Sequence, residues 1–449
     1  MKRMGLIFMF TNIKKINMKR ILSLFIMFIL VVSLSSVLSA AQVYNTNEYL
    51  SPLWEGNIVY DESVCVLQNR DKTFSPISLT YKIDEIISVK SSDLLKTYQP
   101  GIDYVLENGK LKILKQTSIP YFTYDEYYPF NGTIPKTGGG FIAFSEGSFF
   151  HERQVVITYK HSDTWQGTAP AAQAAKLPNT MYNLENKQPM TVLFYGDSIT
   201  VGANSSSFVS AEPNLPIWPK LVTNALKEKY GYNNIFYANT AVGGTTSSWG
   251  VENVDTRAVA EAPDLVFLGF GMNDGNTDPK VYKNNIKTII NEIRSVFENC
   301  EFVLVATTLP NKEAAGFYAN QINYINELNE IASELSGIAV ADMTTLHNEL
   351  LQIKSFRDMT GNNVNHPNDF LTRLYAQVML QTLSYSEILG DADLDGKTTS
   401  SDARFIMDHV IKEQALSPAS FKNADMDKNG KVTTTDVRKV LRLIVEKEA

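Results

Sequence analysis

Apolar and polar positions change rhythm twice along this chain. From residue 45 to about 165 the apolar runs are short: Ile58-Val59-Tyr60, "SVCVL", "SPISLTYKI", "IISVKS", "DYVLENGKLKIL" and "RQVVITYK" are separated by Asn-Gly, Pro and Gly. Glu107-Asn108-Gly109-Lys110 joins two alternating stretches and predicts a two-residue hairpin. Many short strands with regular turns predict a β-sandwich, jelly-roll-like, over 45–165. The aromatic cluster Tyr121, Phe122, Tyr124, Tyr127, Tyr128 and Phe130 reads first as packing within that layer, with a sugar-stacking platform as the alternative.

After a Gly/Ala/Pro-rich connector, 166–184, the rhythm becomes that of alternating strand and helix. "TVLFYG", "NIFYANT", "DLVFLGFG", "EFVLVATT" and "GIAVADM" are continuous apolar strands, as expected when both faces of a sheet are covered. Ile286, Ile290, Ile293 and Phe297 share a helical face within 282–297, and Ile322, Ile325 and Leu335 do so within 313–335. This order predicts a doubly wound parallel α/β sheet over 185–388, with ligands at the carboxyl ends of its strands. The last 60 residues carry a repeat: "GDADLDGKTTSSDARFIMDHV" from Gly390 returns as "ADMDKNGKVTTTDVRKVLRLI" from Ala424.

The start of the chain reads as an export signal, 1–41: Met18-Lys19-Arg20, an uncharged apolar run Ile21–Leu38, then Ser39, Ala40 and Ala41 as a cleavage site. Composition sets outer limits. With 449 residues, 44% hydrophobic and 20% charged, the chain has room for two or three cores. A net charge of −7 argues against nucleic acid or an anionic membrane surface as partner. The two cysteines, Cys65 and Cys300, read as buried small hydrophobes, and no Cys/His cluster points to zinc.

Candidate chemistry lies at the strand ends. "GDS" at 196–198 ends the first parallel strand and offers Ser198 as a nucleophile, with helix N–H groups behind it. "NTAVGGTTS" places Gly244 after the second strand, and "GFGMNDG" places Asn273 after the third, each able to donate to an oxyanion. "NNVNHPNDF" supplies His366 after the last strand. Of five histidines only His347 and His366 fall in the sheet region, and His347 sits inside an apparent helix as a surface or structural residue, so His366 is the candidate base.

These four blocks, in this order over 185–388, resemble those of the SGNH hydrolases, the GDSL esterase/lipase family. The resemblance implies a flavodoxin-like sheet, Ser198 as nucleophile, His366 as general base, and an oxyanion hole of the Ser198 N–H, the Gly244 N–H and the Asn273 amide. A preceding β-rich domain is similar to the arrangement in some secreted carbohydrate esterases. One position departs from the pattern: Asn363 stands three residues before the histidine, where the family has Asp. Asn363 is expected to orient the ring without supplying charge. The open alternatives are a Ser–His dyad helped by a backbone carbonyl, a carboxylate from Asp358 or Asp369, or a weak enzyme.

In the repeat, Asp391–Asp402 and Asp425–Asp436 are twelve-residue loops. Oxygen ligands fall at Asp391, Asp393, Asp395 and Asp402 and at Asp425, Asp427, Asn429 and Asp436, with glycine at position 6 and the Lys397 and Lys431 carbonyls at position 7. This spacing predicts two bound Ca2+ ions. Asp at position 12 and a single helix after each loop resemble a type I dockerin over 390–447. The resemblance implies a cohesin domain of a scaffoldin as partner, contacted by Ser400, Ser401, Thr434 and Thr435.

Together these readings predict an exported, cellulosome-associated serine esterase, free of the membrane after signal cleavage. It would act on acetylated plant polysaccharide such as acetylxylan, through an acyl-enzyme and with no cofactor for catalysis. A non-catalytic carbohydrate-binding component and an acyltransferase on the same fold are the alternatives.

Overall fold

The computed structural model describes residues 45–448 apart from Glu413, so the export signal read over 1–41 lies outside the described residues. Among the described residues, no helix is long and apolar enough to cross a membrane.

The N-terminal layer contains β1 (Ile58–Cys65), β2 (Glu85–Ser91), β3 (Tyr104–Glu107), β4 (Lys110–Ile113), β5 (Ile134–Pro135), β6 (Phe141–Ile142) and β7 (Gln154–Lys160). The expected hairpin is present as β3–β4, with Glu107 opposite Lys110 and both Asn108 and Gly109 at positive φ. The sheets are smaller than a jelly-roll sandwich implies: β1-β7-β2 form one antiparallel sheet, and β3–β4 and β5–β6 are separate two-stranded ribbons. "SPISLTYKI" is no strand and touches a ladder only at the Ile77–Leu111 bridge. Side chains take up its amides instead. Thr80 N donates to Glu62 Oε1 at 2.9 Å, and Tyr81 N donates to Tyr159 Oη at 3.2 Å. Within the aromatic cluster Phe122 and Tyr127 are buried while Phe130 is exposed.

The second layer is a parallel sheet of β8 (Met190–Gly196), β9 (Ile235–Asn239), β10 (Leu265–Gly269), β11 (Glu301–Ala306) and β12 (Ile338–Asp342). Its strand order is β12-β11-β10-β8-β9. The order reverses at β8, whose neighbours β9 and β10 lie on opposite sides, so the crevice beyond the end of β8 is the topological switch point. Alternate residues face alternate layers. Leu193, Tyr195, Val266, Leu268, Phe302 and Leu304 share a core with Ile286, Ile290 and Ile293 of the helix Pro279–Val296 and with Leu328 and Ile331 of Tyr324–Glu334. On the other face, Phe194 stacks on Phe267 at 4.8 Å and meets Trp218, which stacks on Tyr375.

The helix expected over 313–335 starts only at Tyr324, after a 3-10 turn. Gly316 adopts φ 86, which ends regular structure there. Residues 313–315 pair with the β5–β6 ribbon instead: Thr137 N donates to the Glu313 carbonyl and Ala315 N to that of Pro135. The intended connector 166–184 likewise carries structure, a 3-10 turn at Ala174–Lys176 and the start of the helix Pro178–Glu185.

The β-rich layer is bonded into the α/β layer by buried polar contacts. Lys354 Nζ lies 2.5 Å from Glu62 Oε1, with both side chains fully buried, and also donates to the Ser63 carbonyl. Glu62 Oε2 accepts from Tyr159 Oη at 2.7 Å. Cys65 N donates to Asp358 Oδ1, and Arg373 donates to the carbonyls of Tyr60 and Asp61. Both cysteines are unpaired and buried, and burial pushes each thiol up to about 12. Lys354→Met would leave the Glu62 carboxylate buried without its counter-charge, at an expected cost of about 3–5 kcal/mol. The loss should appear as a lower urea midpoint, and the double variant Lys354→Met/Glu62→Gln should recover much of it.

Candidate active site

Strand β8 reaches its end so close to β10 that only glycine fits. A β-carbon on Gly196 would stand 2.3 Å from the Gly269 carbonyl oxygen and 2.5 Å from Thr200 Oγ1. Asp197 then caps the helix Ser198–Val201: one carboxylate oxygen accepts from Ile199 N at 3.0 Å and the other from Met272 N at 3.2 Å. Burial pushes this carboxyl up to about 7, against the downward pull of those N–H groups. Ser198 is the first residue of the helix, so its own N–H has no acceptor within it.

Ser198 Oγ, in a residue only 6% exposed, lies 2.9 Å from His366 Nε2. The histidine stands on a loop that Asn362 organises: its Oδ1 accepts from the amides of Val364, Asn365 and His366 at 3.0–3.1 Å. Thr360 Oγ1 and Gly361 N both donate to the His366 carbonyl. On the far side of the ring, Nδ1 lies 2.6 Å from Asn204 Oδ1 and 3.3 Å from Glu146 Oε2. The Asn204 amide nitrogen donates to the Gly147 carbonyl at 3.2 Å and reaches that of Gly361 at 3.5 Å, so its oxygen faces the ring. An amide oxygen can only accept. Nδ1 therefore carries the proton in the neutral ring, and Nε2 presents its lone pair to the serine.

Asn363 does not hold the imidazole as expected. It is fully buried at φ 67; its Oδ1 accepts from Tyr127 Oη at 3.0 Å and its Nδ2 donates to the Ala143 carbonyl at 2.9 Å. It clamps the histidine loop to the β-rich layer. Asp358 and Asp369 do not take its place, since Asp358 binds the amides of Cys65 and Ser355 and Asp369 that of Ser206. The two residues that do meet Nδ1, Asn204 and Glu146, were not found by sequence reasoning. Asn204 lay in plain view six residues beyond the serine. Glu146 belongs to the other layer, and no local pattern marks it. Burial works to raise the Glu146 carboxyl, but hydrogen bonds from His366 and Asn362 and the nearby imidazole charge hold it below the usual range.

The segment Gly243-Gly244 runs beside the serine: a β-carbon on Gly243 would come within 3.7 Å of Ser198 Cβ, and Gly244 adopts φ 77. Asn273 is half-buried after β10, and one of its amide hydrogens goes to the Thr245 carbonyl at 3.0 Å. His347 is buried in its helix; its Nδ1 accepts from Leu309 N, and burial lowers its pKa to about 3.

In the C-terminal repeat each loop wraps around its first aspartate. Gly396 N donates to Asp391 Oδ2 at 3.0 Å and Gly430 N to Asp425 Oδ2 at 2.8 Å, both glycines at positive φ. Asp402 accepts from the amides of Ala392, Asp393 and Thr399, and Asp436 from those of Met426 and Thr433. Lys397 and Lys431 turn their amides to Asp395 and Asn429. Carboxylate oxygens of Asp391, Asp393 and Asp395 converge within 4.8 Å of one another, as do those of Asp425, Asp427 and Asp436. Ser400, Ser401 and Thr434 are exposed and Thr435 half-buried, at the starts of the helices Ser400–Val410 and Thr434–Glu448.

Residues 194–370 match the GDSL-like lipase/acylhydrolase family and residues 389–444 the type I dockerin domain. The chain thus carries a GDSL-like hydrolase domain and a type I dockerin. No curated protein matches it. Among solved structures, a two-domain esterase active on acetylated mannans is 20% identical over 51% of this chain, with a TM-score of 0.39. This chain spans 56% of that esterase's length. An acetylxylan esterase from Geobacillus stearothermophilus is 18% identical over 44% of this chain and 95% of its own, with a TM-score of 0.36. An alpha/beta hydrolase from the metagenome of Lake Arreo, Spain, is 17% identical over 43% of this chain and 94% of its own, also at 0.36.

The match over 194–370 is to a lipase/acylhydrolase family, and type I dockerins bind calcium. The dockerin loops here fit that ion: Asp391 Oδ1 is buried with no hydrogen-bond partner, the orphan acceptor that a hard cation would satisfy. Burial, with the crowding of Asp402, Asp395 and Asp393, pushes the Asp391 carboxyl up to about 6, which bound calcium would reverse. Calcium at about a hundred times its Kd should stabilise the dockerin by ~2.7 kcal/mol. Chelation should therefore lower its unfolding temperature and open 390–447 to protease, while Asp391→Asn should weaken the calcium response.

Proposed function

We propose that this protein is an exported, cellulosome-borne serine esterase that removes O-acetyl groups from plant-wall polysaccharide, an acetylated xylan or similar hemicellulose. The observation that carries the reading is the 2.9 Å contact between Ser198 Oγ and the unprotonated nitrogen of His366. As Oγ attacks the ester carbonyl, Nε2 takes its proton. The Ser198 N–H, the Gly244 N–H and the Asn273 amide receive the charge growing on the carbonyl oxygen. The imidazolium gives the proton to the departing sugar oxygen, which leaves as a hydroxyl, and an acetyl-serine remains. A water activated by the same nitrogen then releases acetate and restores the serine.

Two features support the substrate class. Ser198 is nearly buried, which favours a short acyl group. A dockerin tethers its enzyme to a scaffoldin through a cohesin, and enzymes so assembled work on plant-wall polymers. Ser400, Ser401, Thr434 and Thr435 occupy equivalent positions in the two halves and are the candidate cohesin contacts, with two Ca2+ ions holding both halves folded.

Acetate release from acetylated xylan, mannan and pectin tests the proposal. The wild type should release acetate from at least one of them, and Ser198→Ala should lose about 10³-fold or more in turnover. Equal release by both proteins would remove Ser198 from the chemistry, release by neither would point to a binding component, and acetyl transfer to added alcohols without acetate release would point to an acyltransferase.

A further inference from the structure

Resting on the Ser198–His366 reading, we infer that Glu146, supplied by the β-rich layer, is the positioning residue that provides the negative charge for this site, stabilising the imidazolium formed when His366 takes the serine proton. Its Oε2 lies 3.3 Å from His366 Nδ1, and its Oε1 accepts from Asn362 Nδ2 at 3.1 Å, the same Asn362 that folds the histidine loop. The next residue, Gly147, gives its carbonyl to Asn204, so one short segment of the β-rich layer holds both partners of the ring nitrogen. The position three residues before the histidine is unavailable for this role. Asn363 is spent on Tyr127, Ala143 and Asn311, and a carboxylate there would face the Ala143 carbonyl.

The two partners of Nδ1 divide the work. Asn204 fixes the tautomer through a neutral amide; Glu146 adds charge. Its side chain is 54% exposed, so it stays ionised without a large desolvation cost. The neighbouring acids have other partners. Asp197 beneath the serine binds Ile199 N and Met272 N, Asp369 on the following helix binds Ser206 N, and Asp358 binds Cys65 N and Ser355 N. Among the described residues, Glu146 is the one charged group bonded to the imidazole.

Kinetics on a small aryl acetate over pH 5–9 test this with wild type, Glu146→Gln, Glu146→Asp, Glu146→Ala and Ser198→Ala. Losing both charge and tautomer control in a serine-protease triad costs about 10⁴ in turnover. With Asn204 still holding the tautomer, Glu146→Gln should lower kcat by roughly 10- to 100-fold and change KM little. Replacing the Glu146 carboxylate should displace the acid limb of the kcat/KM profile, and Glu146→Asp should restore both readouts in part.

Glu146→Gln with kcat within twofold of wild type and an unmoved acid limb overturns the inference. Should Glu146→Gln melt well below wild type, Glu146→Asp decides: kcat within about tenfold of wild type and a wild-type acid limb support the role, and a loss as large as that of Glu146→Ala overturns it. Ser198→Ala separates the two levels. If it is as active as wild type, the underlying Ser–His reading fails; if it is inactive while Glu146→Gln is normal, only the role of Glu146 fails.

Discussion

A single imidazole, held on both of its nitrogens, is the constraint on which this site depends. One nitrogen must keep its proton and the other must lose it to be of use to a serine. The structure meets that demand with an amide oxygen rather than with a carboxylate on the histidine's own loop. Asn204 can present its oxygen because its NH2 group is turned to the Gly147 and Gly361 carbonyls, one from each layer of the protein. Ring orientation and packing of the layers are thus one structural problem.

That coupling explains why so much buried polarity lies along the junction. A fully buried Lys354–Glu62 pair is weak evidence for stability, since desolvation offsets most of its attraction, but it tolerates few alternative packings. The Asp358 contact with Cys65 N, the Asn363 contact with Tyr127 and the Gln154 contact with the Thr360 carbonyl have the same character. Each needs a particular register between β1, β7 or the aromatic segment and the histidine loop. Apolar packing alone would let these surfaces slide by fractions of an ångström, which proton transfer does not forgive.

Legibility in the sequence followed the range of the forces involved. The five parallel strands were readable because burial on both faces leaves an unbroken apolar run. The glycine before Ser198 and the calcium loops were readable because their constraints are local: a close backbone approach, or ligands at fixed offsets. The reading failed where a residue's partner lies far away. "SPISLTYKI" has the composition of a strand, but its Thr80 and Tyr81 amides are taken by Glu62 and Tyr159. Residues 313–315 are helix formers, but their place is set by the β5–β6 ribbon. Asn363 occupies a position the family gives to an acid, yet its side chain answers to Tyr127, more than two hundred residues upstream.

The acids of this protein show why a charge for the imidazole would come from an edge. Asp197 is buried beneath the serine, and although two backbone amides face it, burial still drives its carboxyl to about 7. A carboxylate sunk equally deep beside His366 would face the same desolvation penalty and would need further N–H donors to stay ionised. The dockerin aspartates have a different route past this cost, since a bound cation would neutralise them where they converge. Glu146 needs neither a metal nor a second set of amides. Half in water at the meeting of two layers, it remains an anion at the pH where the histidine works, and Asn362 keeps it within reach of the ring.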